Sequence, residues 1–159
     1  MRTHEHRAVR PVIIRPVEAR DRPHWAQMWA GYLAFYEASV DAATTEVLWT
    51  RLSDPSSPVH GLVAEGDDGI PVGLCHYVLH ANTWEIAPVC YLEDLFVRPD
   101  ARARGVGAAL IEHLRGRMTT EGWSRLYWMT REDNYRARGL YDRFTKRDPF
   151  VRYVLRAGG

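Results

Sequence analysis

The residues best suited to chemistry lie in the middle of the chain, where two glycines follow a basic stretch. Residues 91–97 form an apolar run that contains Glu93 and Asp94, and residues 98–104 are polar and basic. Residues 105–114 begin with glycine and then take on helical spacing. Glycines let the backbone approach an anion, while free N–H groups and the helix dipole favour negative charge at a helix start. The pattern therefore predicts a phosphate-binding turn between a strand and a helix.

Two well-known phosphate motifs do not fit this turn. A P-loop needs Lys followed by Ser or Thr after its second glycine, but Ala108 and Ala109 stand there. The dinucleotide-binding fingerprint needs a third small residue, and Leu110 occupies that position. An ordinary strand–helix turn with a glycine-rich start stays open as an alternative.

The pattern that does match is Arg-x-x-Gly-x-Gly, at Arg102, Gly105 and Gly107. It resembles the acetyl-CoA pyrophosphate loop of the GNAT superfamily of N-acetyltransferases. The stretch LEDLFVRP (92–99) precedes it and NYRARGLYDRF (134–144) follows it, in the order and at the spacing of that family. The resemblance covers residues 12–155, although its specific motifs are confined to residues 91–144.

The resemblance implies acetyl-CoA as cosubstrate, with the pantetheine arm on the backbone of the central strand and the pyrophosphate on N–H groups of the loop. Arg102 holds the motif position and is expected to contact phosphate, whereas the role of Arg104 is left open. No metal site is expected. The predicted cofactor contacts are Leu95, Phe96, Val97, Arg102, Ala103, Arg104, Gly105, Val106, Gly107, Asn134 and Ala137.

The implied reaction is acetyl transfer from a thioester to an amine, and it needs a neutral nucleophile. An alkylamine has a pKa near 10, so only about one molecule in a thousand is neutral at pH 7. Glu93 resembles the glutamate of the LED motif in spermidine/spermine acetyltransferases and is the predicted base, acting through water with a pKa raised by burial. Regular alternation places Glu93, Leu95 and Val97 on one face. It places Asp94 on the other face, as a structural residue unless a bulge re-aims it. Pairing of Glu93 with an arginine is the alternative.

Tyr141 is the predicted acid for the departing CoA thiolate. It follows Asn134 by seven residues and Ala137 by four, so the three share one helical face. The resemblance places a tyrosine at this position opposite the CoA sulfur; a core tyrosine is the alternative. Many relatives continue into Gly-Phe, but Asp142 and Arg143 follow here, which puts the rim of the acceptor pocket in doubt.

The acceptor is predicted to be a small cationic amine: a polyamine, a diamine or a lysine-like amine. Tyr36 and Glu37 at the end of the first helix, with Trp84 on a later loop, are the predicted substrate contacts, since acidic and aromatic groups suit a cation. The alternatives are an acetyltransferase acting on protein lysines or N-termini and a CoA-binding regulatory domain without turnover. The sequence does not identify the amine.

Composition fits this interpretation. The chain has 159 residues, 46% hydrophobic and 26% charged, which is typical of a soluble globular protein with one core. Its net charge is +1, from 21 basic and 20 acidic residues, so no nucleic-acid partner is expected. No apolar run approaches the roughly 20 residues of a membrane span. Cys75 and Cys90 are predicted to be buried free thiols, and the location to be cytoplasmic.

Hydrophobic spacing and turn residues predict the order β-α-α-β-β-β-α-β-α-β. The predicted fold class is mixed α/β: a mostly antiparallel sheet of about six or seven strands with helices on both faces. As in GNAT folds, the sheet is expected to splay between the central strand and the next. One domain over residues 9–159 is predicted, after a flexible N-terminus of residues 1–8, and relatives suggest a homodimer. The predicted strands cover 9–18, 60–65, 71–80, 91–97, 125–130 and 150–155, and the helices begin at Asp21, Thr44 or Thr45, Gly105 and Asp133 or Asn134.

Overall fold

The computed structural model describes residues 11–158. The chain divides into two compact units, one ending at Met129 and one beginning at Thr130, and each is described by itself. The flexible lead-in predicted for residues 1–8 lies outside the described residues, as do residues 9 and 10 of the predicted first strand. The prediction of one domain over residues 9–159 stays a prediction.

The first unit contains a five-stranded mixed sheet in the order β1-β2-β3-β4-β5. The first four strands pair antiparallel, and only β5 runs parallel to β4. The predicted sheet class is therefore confirmed, with fewer strands than expected. The strands are β1 (Ile13–Pro16), β2 (Val59–Glu65), β3 (Pro71–His80), β4 (Val89–Val97) and β5 (Arg125–Trp128).

The strand predicted for residues 150–155 does not form. This stretch has no regular secondary structure, and its large side chains are exposed, Phe150 by 82%, Tyr153 by 92% and Leu155 by 101%. An apolar sequence becomes a strand only when another strand satisfies its backbone hydrogen bonds. The described part of the second unit offers no second strand.

The helices are α1 (Arg22–Phe35), α2 (Ala42–Ser53), α3 (Val106–Glu121) and, in the second unit, α4 (Tyr135–Tyr141). Short 3-10 turns lie at Ala19–Asp21 and Pro99–Ala101. The fourth helix was expected to reach residue 144 and ends three residues earlier. Within residues 11–158 no helix has both the length and the apolar composition needed to cross a membrane.

Helices α1 and α3 pack on opposite faces of the sheet, as predicted. On the α1 face, Gly31 allows so close an approach to Phe96 that a Cβ would lie 2.7 Å from its ring. On the α3 face, Gly73 admits Val106 in the same way, at 2.6 Å. Each large buried side chain contributes about 1.5–3 kcal/mol to folding. The α1 face buries Trp25, Met28, Trp49, Val63 and Leu74, and α3 buries Val106, Leu110, Ile111 and Leu114.

The predicted cap of α2 is wrong, whereas Asp21 holds the predicted N-cap position of α1 but does not cap it with its side chain. The side chain of Asp41, rather than Thr44 or Thr45, caps α2 by accepting from the Thr44 N–H at 2.7 Å. Asp21 precedes α1, but its carboxylate accepts from Arg15 at 2.7 and 2.9 Å and from the Glu18 N–H at 2.7 Å instead of capping the helix. A buried carboxylate needs a cationic partner more than an exposed helix end needs a cap.

The two cysteines are buried free thiols, as predicted. Burial raises the pKa of Cys90 to about 12 and that of Cys75 above its ordinary range. Both thiols therefore pack as small apolar groups.

Candidate active site

The central strand β4 carries a one-residue bulge at Glu93. His76 of β3 pairs with Asp94 and Tyr77 pairs with Leu92, so Glu93 is the extra residue between these two pairs. An extra residue interrupts the strict alternation of side chains between the two faces. Leu92 faces α3, as its partner Tyr77 does, and Asp94 faces α1, where it meets His76. We infer that Glu93 also projects toward the α1 side.

The regular alternation expected from the sequence therefore ends after Leu92. The bulge re-aims Asp94, which is the exception that the prediction left open. In the structure Asp94 and Phe96 lie on the α1 face, opposite Leu92. Glu93 is exposed, so the burial expected for its carboxylate is wrong. The two adjacent carboxylates are thus brought to one side of the sheet.

Strands β4 and β5 separate beyond the bulge. Their parallel pairing covers only Val89 to Leu92 on β4, against Arg125 to Trp128 on β5. From the bulge to Val97, β4 pairs with β3 alone among the described strands. The predicted splay is present at this point, and the backbone of Leu95, Phe96 and Val97 lines its β4 side.

The segment after β4, residues 98–107, is called the glycine loop. It makes a 3-10 turn at Pro99–Ala101, and Ala103 and Gly105 then have positive φ values of 64° and 76°. Within residues 11–158, no hydrogen bond engages the N–H groups of Ala103, Arg104 or Gly105. The first turn of α3 adds further N–H groups that lack a partner within the helix. The loop thus presents consecutive donors at the positive end of a 16-residue helix.

This loop fits a pyrophosphate. A Cβ added at Gly105 would meet no atom within 4 Å, so the space in front of the donors is open. The side chain of Val106 is buried against the sheet, which leaves only its backbone for the predicted contact with the cofactor. The N–H groups at a helix N-terminus form an anion-binding site through the main chain alone.

The arginines of the glycine loop differ in their engagement. Arg98 forms a bidentate pair with Asp100, at 3.2 and 2.8 Å. Arg102 donates from Nε to the Val97 carbonyl at 3.2 Å and places its guanidinium 5.9 Å from the centre of the Phe96 ring. Arg104 is exposed. Arg102 thus braces the loop with Nε while its terminal nitrogens stay available for phosphate.

A cavity of about 520 Å³ lies between α1 and the start of the glycine loop. Phe35 and Phe96 contribute apolar surface, while His24, Arg98 and Arg102 contribute polar groups. Neither Glu93 nor Asp94 lines it. The two carboxylates and the separated strands therefore lie outside the lining of this cavity.

Four tyrosines surround the carboxylates on the α1 side and are called the tyrosine face: Tyr32, Tyr36, Tyr91 and Tyr127. Tyr91 stacks on Tyr127 with ring centres 4.8 Å apart, and Tyr32 packs against Tyr36 at 4.9 Å. Burial raises the pKa of Tyr127, and the charge of Glu93 adds to this rise. The Glu93 carboxylate is therefore close enough to the tyrosine face to act on it by its charge. Aromatic rings beside a carboxylate are suited to a cation.

A buried hydrogen-bond chain reaches Asp94 from α1. The Trp25 indole donates to Nε2 of His76 at 2.9 Å, and Nδ1 of His76 lies 2.9 Å from the Asp94 carboxylate. Helical spacing of apolar residues in the sequence predicts a core position for Trp25, and no motif in the sequence singles out His76. A histidine inside the apolar strand PVGLCHYVLH was the available signal. Within residues 11–158 no set of three or more His, Cys, Asp or Glu could hold a metal.

The three predicted substrate residues are placed differently. Tyr36 is half-buried at the C-terminal end of α1, on the tyrosine face. Glu37 follows it, exposed and in a left-handed conformation with φ of 51°. Trp84 is 87% exposed on the loop between β3 and β4, where Asn82 accepts from its N–H. Tyr36 is therefore the one that the structure brings onto the tyrosine face.

In the second unit, Asn134 caps α4 by accepting from the Ala137 N–H at 3.4 Å. Its amide also donates to Thr130 at 3.1 Å. Asn134, Ala137 and Tyr141 are all half-buried, as expected for one helical side, and Tyr141 is the last residue of the helix. The face shared by these three predicted residues is thus present in α4.

Comparison with known proteins agrees with this geometry. The sequence model of the acetyltransferase (GNAT) family matches residues 25–145. The D-amino-acid N-acetyltransferase HPA3 of Saccharomyces cerevisiae is 29% identical over 143 residues, 89% of each chain. The aminoglycoside N(6')-acetyltransferase type 1 of Klebsiella aerogenes is 30% identical over 115 residues, 69% of this chain and 74% of its own.

Solved structures show the same fold. A structure of AAC(6')-Iy in complex with the bisubstrate analogue CoA-S-monomethyl-acetylneamine has a TM-score of 0.70 at 22% identity, covering 91% of this chain and 99% of that one. The matched family segment contains the bulged strand, the glycine loop and α4. With β4 splayed from β5 and a helix start open to phosphate, this chain belongs to the GNAT acetyltransferase family, and acetyl-CoA is its cosubstrate.

Proposed function

We propose that this acyltransferase moves an acetyl group from acetyl-CoA directly to a primary amine of a small cationic acceptor: a polyamine, a diamine or a lysine-like amine. The observation that carries the proposal is the bulge at Glu93, from which we infer that Glu93 and Asp94 lie on one side of the sheet, next to the tyrosine face. Acidic and aromatic groups together favour cationic ligands. Relatives named for acting on D-amino acids and aminoglycosides support an amine acceptor.

The glycine loop supplies the cofactor contacts in this proposal. Main-chain N–H groups of Ala103, Gly105 and Gly107 bind the pyrophosphate, and the backbone of β4 beyond the bulge binds the pantetheine arm. The guanidinium of Arg102 adds a charge-assisted contact. Because these contacts use the main chain, they orient the thioester along the gap between β4 and β5.

Glu93 activates the acceptor in the proposed reaction. It removes the ammonium proton through water, which raises the small neutral fraction of the amine at the thioester. Its exposure favours this water-mediated route over direct contact. Tyr141 donates its phenolic proton to the departing thiolate sulfur, so the new amide bond forms as the C–S bond breaks.

Thiol release from acetyl-CoA tests the function. The acceptor panel contains spermidine, 1,4-diaminobutane, D-lysine, an aminoglycoside and a lysine-containing peptide. Release confined to small cationic amines supports the proposal, whereas release only with the peptide supports acetylation of protein lysines or N-termini. Acetyl-CoA binding without release for any acceptor supports a regulatory domain without turnover.

The exposed segment 150–155 supports a homodimer as the working form. Its apolar sequence predicts a strand, but within the described part of its own unit no other strand pairs with it. A second copy offers the outer edge of β5, which is the last strand of its sheet. Light scattering at several concentrations tests this, and a monomer at every concentration contradicts it.

The proposed location is the cytoplasm. The buried, unpaired thiols of Cys75 and Cys90 suit a reducing compartment. Cell fractionation followed by blotting tests this location.

A further inference from the structure

We propose that Asp94 selects the acceptor: it binds a cationic group other than the nitrogen that attacks, and Trp25 acts through His76 as the positioning chain. This inference rests on the proposed function and adds a division of labour between two adjacent carboxylates. Glu93 removes the proton of the attacking ammonium group, and Asp94 binds a second cationic group of the acceptor.

The hydrogen-bond chain fixes the orientation of Asp94. An indole nitrogen can only donate a hydrogen bond, so Nε2 of His76 must be the acceptor of the 2.9 Å bond from Trp25. The ring hydrogen therefore lies on Nδ1 and is donated to Oδ2 of Asp94, also at 2.9 Å. Trp25 and His76 are each only 1% exposed, so tight packing holds the chain in place.

Tyr32 lies near the same carboxylate. Burial raises the pKa of Tyr32, and the neighbouring Asp94 raises it further, so the phenol keeps its proton. A carboxylate has about four acceptor positions, and the bond from His76 uses one of them. The Asp94 side chain is 16% exposed, so a ligand can reach it.

The charge of Asp94 explains why it binds a group that does not react. A fixed carboxylate beside an ammonium stabilises the charged form through the attraction of opposite charges. The attacking nitrogen must instead become neutral. A second ammonium needs no deprotonation, so its interaction with Asp94 assists binding without opposing the reaction.

The tyrosine face completes a site for that second cation. Tyr36 packs against Tyr32, and Tyr32 lies near Asp94, so aromatic rings flank the carboxylate. Tyr91 is also close enough to Tyr32 to contribute to the raised pKa of its phenol. Aromatic faces and an oriented carboxylate are the groups that bind an ammonium ion.

Matched acceptors test the assignment. 1,4-Diaminobutane and butylamine differ by one ammonium group, as do D-lysine and D-norleucine. We expect the wild type to prefer the cation-bearing member of at least one pair about 10-fold or more in kcat/KM. Asp94→Asn keeps the shape and still accepts from His76. It should reduce that preference to near one, through KM for the amine, with KM for acetyl-CoA unchanged.

Two substitutions at His76 separate positioning from structure. Asn places its amide near the position of Nδ1 and keeps a donor for Asp94, whereas Gln reaches the position of Nε2 and keeps only the contact with Trp25. Both leave one buried group unsatisfied, so both should lower the melting temperature. If His76 positions Asp94, His76→Gln loses the preference for the second charge and His76→Asn retains most of it.

The outcomes distinguish the two proposals. If the wild type binds acetyl-CoA but acetylates no amine, the proposed function fails and the role of Asp94 fails with it. If it acetylates both members of each pair equally well, or if Asp94→Asn keeps the preference, only the role of Asp94 is overturned. If Asp94→Asn does not fold, the two His76 variants and Tyr32→Phe give the same test. The assignment is overturned if all three variants prefer the acceptor with the second charge as strongly as the wild type does.

Discussion

The glycine loop and the tyrosine face lie at opposite ends of the bulged half of β4, and they are built differently. The loop relies on main-chain N–H groups, and its side chains mainly allow the required backbone. The tyrosine face relies on the identity of individual side chains, down to the tautomer of His76. A universal cosubstrate can be bound by the backbone, whereas selection among amines needs side chains that can change.

The largest expected effect tests the main-chain character of the loop. Gly105→Asp places a carboxylate where the phosphate is expected, and we predict a loss of acetyl-CoA affinity of about 100-fold or more, measured by calorimetry. Gly122→Asp is the matched control at the other end of α3. Gly122 has φ of 74° and equally open surroundings.

Both substitutions impose a similar left-handed strain, about 1 kcal/mol. The helix dipole favours the new charge at Gly105 and disfavours it at Gly122. Gly105→Asp should therefore be the more stable variant while losing the cofactor. Equal affinity for acetyl-CoA in the two variants would show that the loop does not bind it.

A second substitution addresses the other side of the comparison. Glu93→Gln should lower kcat for the preferred amine by about 100-fold, because a positioned base typically contributes at least that much. Affinity for acetyl-CoA should not change. A stopped-flow or thiol-release assay measures the first and calorimetry the second, and an unchanged kcat would remove Glu93 as the base.

Tyr141→Phe should have a smaller effect on kcat, about 10-fold. A thiolate leaves readily because a thiol has a pKa near 8.5, so the acid assists less than the base does. Tyr135→Phe is the control on the same helix, since Tyr135 is 75% exposed. Equal losses in both variants would point to damage to α4 rather than to a proton transfer.

Arg104→Ala should raise KM for acetyl-CoA only a few-fold, because its exposed charge is screened by solvent. The effect should shrink further in high salt. Arg98→Ala, which removes an arginine already paired with Asp100, should change KM less. A large increase in KM for acetyl-CoA in Arg104→Ala would mean that the glycine loop depends on its side chains more than on its main-chain N–H groups.

Asp21→Asn should reduce the free energy of unfolding by about 3 kcal/mol, because it breaks a buried ion pair with Arg15. Below the melting temperature it should leave the glycine loop and the tyrosine face unchanged. Burial is the largest single influence and would raise the pKa of Asp21, but the hydrogen bonds from Arg15 and the Glu18 N–H, with the charges of Arg15 and Arg20, together outweigh it, and the net shift is downward. The stabilisation is therefore present above about pH 4 and is lost as the pH falls further. Urea melts of both proteins at pH 7 and pH 3 should converge at the lower pH.

Much of the fold was predictable because it depends on local patterns. The hairpin of β2 and β3, the glycine that begins α3 and Gly122 that ends it follow from turn and capping preferences. Residues 150–155 could not be predicted, since their sequence specifies a strand but not the presence of a partner. Asp21 was assigned to a cap because its ion pair with Arg15 is invisible in the local sequence.

The site divides along the same line. The Arg-x-x-Gly-x-Gly spacing located the glycine loop, since backbone conformation there depends on adjacent residues. The face of Asp94 had to be left open because a bulge is set by how two strands pair, in this case β3 with β4. The contact between Trp25 and His76 joins residues 51 positions apart, beyond any motif.

The bulge also implies a conflict between folding and catalysis. Removing Glu93 would leave Leu92 and Asp94 opposite the β3 residues that they already face, in an uninterrupted ladder. A chain shortened by that single residue should therefore melt at a higher temperature and turn over no substrate. The sheet tolerates an irregularity at its centre so that one more carboxylate can reach the reactants.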